Sequence, residues 1–122
     1  MSALEGVVSE LAAEIGVGPM PIEPGMPAVF RLERSGRLFI EARDRRILVY
    51  LELPEPVRGG RQLEAALAAC DPRRRPALPL RAGLTGDDRL VLGVTFEEPA
   101  FTLQALHKAI ELLVRLQVEL GA

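Results

Sequence analysis

The sequence predicts an α+β fold, an antiparallel sheet flanked by helices in the order α-β-β-β-α-β-β-α. Three observations carry that reading. Five runs read as strands, four of them through apolar residues that recur with period 2. Three other runs repeat apolar residues at i, i+3, i+4, the mark of an amphipathic helix. The breaks between the first three strands are very short, and short connections join antiparallel neighbours.

The first helix spans Ser2 to Gly16. Ser2 and Glu5 have capping-box spacing, Leu4, Val7, Val8, Leu11, Ala12 and Ile15 form its stripe, and Gly16 suits the left-handed position that ends a helix. Residues 17–27 hold Pro19, Pro21, Pro24 and Pro27, which exclude helix and predict an extended loop. Strands follow at Ala28–Arg34, Arg37–Arg43 and Arg46–Leu53, with turns at Ser35-Gly36 and Asp44-Arg45. The third strand is apolar on its second face as well, through Leu48 and Tyr50, so it is central or covered on both sides. Pro54 and Pro56 are expected to end it.

Arg61 to Cys70 reads as a short helix with Leu63, Ala66, Leu67 and Cys70 on one side, stopped by Asp71-Pro72. Ala77–Leu84 is strand-like, and Pro79 places it at an edge or a bulge. Gly86-Asp87-Asp88 turns the chain into the last strand, where Leu90, Leu92, Val94 and Phe96 alternate with Val91, Gly93 and Thr95. Thr102 then stands where a helix N-cap belongs. Phe101 and Leu106 have the spacing of a hydrophobic staple. The final helix runs to Leu120 and stops at Gly121. Its polar stripe is narrow (Gln104, Lys108, Glu111, Arg115, Glu119), and apolar residues fill most of the remaining circumference. Such a helix is either sunk in its own core or meets the sheet on one flank and another chain on the other.

A chain of 122 residues is expected to form one domain over 1–122, and 48% apolar residues suffice for a real core. The net charge of −2 argues against a phosphate-backbone or anionic-lipid ligand, and four Phe, one Tyr and no Trp argue against a base-stacking platform. The single cysteine, Cys70, permits no internal disulfide and fits a reducing compartment. No signal peptide is visible and no run approaches the length of a membrane span. A soluble cytoplasmic protein without a membrane span is expected.

Chemistry is sparse. His107 is the only histidine, no motif sets a nucleophile beside it, and it reads as a surface or boundary residue. Cys70 lies on the apolar side of a short helix and reads as a buried structural thiol. One His and one Cys cannot form a zinc site of the usual type. Arg43, Arg45 and Arg46, and the run Arg73 to Arg75, are either a patch for an acidic partner or nucleic acid, or solvated turns that protect sheet edges. The acidic net charge favours the second reading, with no nucleic acid bound. No catalytic residue, metal ligand or cofactor is expected. The remaining feature is apolar surface in excess of chemistry, the composition of a domain that binds polypeptides.

The element order, together with Ala77-Leu78-Pro79-Leu80-Arg81-Ala82-Gly83, Leu90-Val91-Leu92, Thr102-Leu103, Leu106-His107 and Leu112 to Glu119, resembles the small class I chaperones of bacterial type III secretion, the SycN-like group in particular. A fainter likeness covers Gly16-Val17 and the Ser35-Gly36 turn. The resemblance implies a non-enzymatic subunit that pairs with a second, YscB-like chaperone and binds the extended N-terminal region of a YopN-like secreted gatekeeper. It also implies that the cargo stays export-competent, near the secretion apparatus at the inner membrane. With that reading, Leu63, Leu67, Leu78, Leu80, Leu90 and Leu92 are expected at the dimer contact, and Leu4, Val8, Leu11, Phe39 and Tyr50 at the cargo contact. The alternative is a self-associating structural adaptor without export cargo.

Overall fold

Alternation along the strands decides which side of the sheet becomes the core. The computed structural model describes residues 3–17, 25–71, 73 and 79–121. Its elements are α1 (Ala3–Ile15), β1 (Ala28–Leu32), β2 (Gly36–Arg43), β3 (Arg46–Pro56), α2 (Gly60–Ala69), β4 (Leu80–Leu84), β5 (Arg89–Glu97), a 3₁₀ turn (Glu98–Ala100) and α3 (Leu103–Gly121). The strands form one five-stranded antiparallel sheet in the order β1-β2-β3-β5-β4. Two meanders, β1-β2-β3 and β4-β5, are joined by the pairing of β3 with β5.

In-phase residues fill the core: Leu38 and Ile40 of β2, Ile47, Val49, Leu51 and Leu53 of β3, Leu90, Leu92, Val94 and Phe96 of β5. They pack against Leu106, Ala109, Leu113 and Leu116 of α3 and against Leu4, Val8, Leu11 and Ala12 of α1. Helix α3 lies over β3 and β5, α2 bridges α3 and β4, and α1 packs on α3 and the 3₁₀ turn.

The helix ends follow local chemistry. Gly16 adopts φ +89, and the N–H groups of Gly16 and Val17 donate to the carbonyls of Ala13 and Ala12, closing α1. The Thr102 hydroxyl accepts from the Ala105 N–H at 3.1 Å, and Phe101 and Leu106 are both buried beneath that cap. The Asp44-Arg45 turn takes φ 52 and 63, the left-handed pair that matches hairpin twist.

Several expectations are corrected. Strand β1 ends at Leu32, and Glu33 to Ser35 form the turn. Strand β3 continues past Leu53 to Pro56, with an irregular register between Glu52 and Pro56. The prolines are accommodated because that end is bulged and exposed, where a missing N–H costs no ladder bond. In α2 the buried side is Ala66 and Ala69, with Leu63 and Cys70 half-buried, while Leu67 points out at 55% exposure. Strand β4 begins at Leu80, and Ala77 and Leu78 lie outside the described residues, as do Ser2 and the middle of the Pro-rich loop. One flank of helix α3's wide apolar arc is core, while on the rest Ile110 and Val114 are half-buried and Val118 is 62% exposed.

Gly36 is where the β1–β2 turn is tightest. A Cβ there would stand 1.9 Å from the Glu52 carbonyl oxygen, and φ is +112. Gly36→Ala is expected to lower unfolding free energy by roughly 3 kcal/mol or more, read by urea denaturation. Gly83→Ala, where the added carbon meets nothing within 4 Å, should change it by less than about 1 kcal/mol.

Candidate polypeptide-binding face

The described helices all lie on the core side of the sheet, so the out-of-phase residues remain on an uncovered face. Register aligns them in rows. Val29 pairs with Phe39, Phe39 with Tyr50, Tyr50 with Gly93, and Gly93 with Arg81, so one row crosses all five strands. The neighbouring rows are Arg31–Arg37–Glu52–Val91–Gly83 and Glu41–Leu48–Thr95. Phe39 and Tyr50 stack with centroids 4.9 Å apart and planes 7° from parallel. The Arg37 guanidinium lies 5.4 Å from the Phe39 centroid and pairs with Glu52 at 2.6 Å.

Beyond Tyr50 the floor drops. Gly93 and Gly83 carry no side chains there, which leaves an apolar dent of about 360 Å³ lined by Leu48, Tyr50, Arg81, Val91 and Thr95 among others. A second groove of about 640 Å³ lies between the end of β3, α2 and the last turn of α3, lined by Arg58, Arg61, Glu55 and Glu119 with apolar neighbours.

Burial of the Tyr50 phenol raises its pKa above the ordinary 10.0, and the charge and hydrogen bonding of Glu41 add to the rise. Burial also pushes the Cys70 thiol up, and its Sγ donates to the Ala66 carbonyl at 3.3 Å. His107 Nε2 meets Glu14 Oε2 at 2.7 Å, tying α3 to α1 at a half-exposed site. Thr85 and Arg89 hydrogen-bond to Asp87 and hold its carboxyl below the usual range. That serves the β4–β5 turn. Among the described residues no group of His, Cys, Asp and Glu could hold a metal ion. Arg43 pairs with Glu41 at 3.8 Å, Arg46 with Glu97 at 3.3 Å and Arg73 with Asp71 at 3.0 Å, so the two arginines at the strand ends beside the Asp44-Arg45 turn, and Arg73, are ion-paired. Arg74 and Arg75 lie outside the described residues.

The expected contact residues divide by phase. Phe39 and Tyr50 stand together on the uncovered face, and Leu63 and Leu67 are accessible on α2. Leu4, Val8 and Leu11 are instead buried against α3 and the sheet, and Leu80, Leu90 and Leu92 are buried in the sheet core. As surface contacts those six are corrected: the chain's own core uses their side chains. Leu78 lies outside the described residues. Val29, Val91 and the glycine dent were missed. Their signal was present as apolar or absent side chains at positions out of phase with the core.

Comparison with known proteins agrees with this architecture. Residues 4–121 match the family model described as the type III secretory system chaperone SycN. The chaperone protein SycN of Yersinia pseudotuberculosis is 34% identical over 125 residues, covering 100% of this chain and 99% of its own. That of Yersinia enterocolitica is 34% identical over 128 residues, with the same coverage. The fold is shared with the Yersinia pestis chaperone SycH, solved with a fragment of YscM2 (TM-score 0.70, 16% identity, 95% and 98% coverage). It is shared too with the ExsC–ExsE complex (TM-score 0.78, 14% identity, 96% and 92% coverage). The chain is thus a type III secretion chaperone, and not an enzyme. It belongs to the SycN family.

Tyr50 is the only tyrosine and the chain has no Trp, so phenolate absorbance reports this face directly. The titration midpoint is expected above 10.0 and should fall toward it in Glu41→Gln. Because the folded-state value is raised, stability linked to this phenol is full below the unfolded value. It is lost as pH rises through the folded one, which urea unfolding at alkaline pH would read.

Proposed function

We propose that this chain forms a heterodimer with a YscB-like chaperone and binds the extended N-terminal region of a YopN-like secreted gatekeeper, keeping that region export-competent in the cytoplasm beside the secretion apparatus. The observation that carries the reading is the five-stranded sheet with helices on one side and an apolar, stacked row on the other. The proteins to which the chain is 34% identical are SycN chaperones. Solved neighbours of the same fold include the HopA1–SchA chaperone–effector complex.

The outward side of α2, with Leu67 exposed and Leu63 half-buried, is assigned to the partner chaperone. Phe39 and Tyr50 are assigned to cargo. An unfolded cargo segment gains from burying side chains and from adding a strand at a sheet edge. It loses several kcal/mol to its own ordering, so the contact must be long.

Co-expression with a YscB-like chaperone and the gatekeeper's N-terminal region is expected to give one co-purifying complex of all three chains, its mass read by native mass spectrometry. Leu67→Asp should release the partner chaperone and leave this chain folded. A tight homodimer indifferent to both proteins would instead establish the structural adaptor.

A further inference from the structure

The uncovered face is basic on an acidic chain. By strand phase and register it presents Arg31, Arg37, Arg43, Arg46, Arg81 and Arg89 against Glu41, Glu52 and Glu97. That is a surplus of three positive charges on a chain of net charge −2. Arg37, Arg43 and Arg46 are paired with the three glutamates. Arg89 pairs with Asp87 in the adjoining turn at 2.9 Å. Arg31 and Arg81 have no ion pair among the described residues. They stand on the two edge strands: Arg81 of β4 ends the Val29–Phe39–Tyr50–Gly93 row, and Arg31 of β1 lies in the row beside it. Four strand spacings, about 19 Å, separate those edges, and the glycine dent lies beside Arg81.

We propose that this face selects a partner polypeptide segment that is apolar at its centre and acidic on both flanks, with one apolar side chain seated in the dent at Gly83 and Gly93. The inference rests on the reading of the uncovered face as a polypeptide-binding surface and adds the chemistry of what it accepts. Carboxylates on the two flanks meet Arg31 and Arg81, which need no existing pair to be broken. A second copy is disfavoured as occupant. A closed two-fold contact sets the same patch against itself, so each arginine-rich face would meet another, and like-charge juxtaposition is a strong rejecting element.

The test uses the full-length protein and two synthetic peptides with one shared apolar run, flanked by glutamates in one and by lysines in the other. Tyr50 fluorescence reports occupancy. The glutamate-flanked peptide should bind about tenfold or more tightly than the other, with a preference that shrinks as salt is raised. Arg31→Glu with Arg81→Glu should reverse the preference. Gly83→Leu, at a position where an added Cβ meets nothing within 4 Å, should weaken both peptides while thermal unfolding stays unchanged. Equal binding of the two peptides at low salt would overturn the charge selectivity and leave the polypeptide-binding reading intact. Binding of neither peptide, together with a three-chain complex that Gly83→Leu does not weaken, would overturn both. Self-association that Gly83→Leu abolishes would overturn the proposal in favour of a second copy.

Discussion

The pairing of β3 with β5 turns two separate meanders into one sheet, and every other feature depends on it. Eight aligned positions from Arg46↔Glu97 to Pro56↔Arg89 hold the two strands together. Their in-phase residues, from Ile47 to Leu53 and from Leu90 to Phe96, are the ones α3 covers. A one-residue slip would exchange the two faces of β5, sending four core side chains outward and Val91, Gly93 and Thr95 inward. The apolar row, the dent and the core are therefore one decision made by register. The same pairing puts the short strands β1 and β4 at the edges, so the two hairpins end the sheet and their unpaired backbone groups line its rim.

Element type and order were legible because each rests on local chemistry. Period-2 runs gave the strands, Thr102 and Gly16 marked helix boundaries, and double-sided apolarity marked β3 as interior to the sheet. What the pattern could not supply was which partner an apolar residue finds. Leu4, Val8 and Leu11 form the only apolar stripe on α1, and a stripe can be buried once; here α3 and the sheet bury it. Leu90 and Leu92 are in phase with Val94 and Phe96, so they go where those go. Phe39 and Tyr50 were found for the opposite reason: each is apolar while its immediate neighbours along the strand already supply the core. The same logic applied to Val29 and Val91 would have placed them as well. The dent at Gly83 and Gly93 was harder to see, because a missing side chain has no hydropathy signal.

Exposed apolar surface on a sheet is a liability unless something limits what it meets. Here the limit is the arginine-rich rim. Arg37 closes over Phe39 and holds Glu52, so one side chain shields the ring and occupies a carboxylate together. The Tyr50 phenol is uncharged near neutral pH, and burial and Glu41 push its pKa further up, so the stacked Phe39–Tyr50 pair carries no charge while arginines and glutamates surround it. An uncharged centre tolerates many apolar side chains, and a charged border discriminates among the segments that carry them.

Magnitudes decide how far the contact must reach. Val29, Phe39, Leu48, Tyr50 and Val91 are already partly covered by their neighbours. Completing their burial contributes about 1 kcal/mol each, or roughly 5 kcal/mol together. Association costs about 4–15 kcal/mol in lost freedom before any ordering of the ligand is counted. A rigid partner touching only these five side chains would therefore hold weakly or not at all. A segment that also fills the dent, meets the edge arginines and continues past β1 or β4 adds contacts without repeating the association cost. The sheet's small apolar row thus argues for a long, wrapping ligand over a compact one.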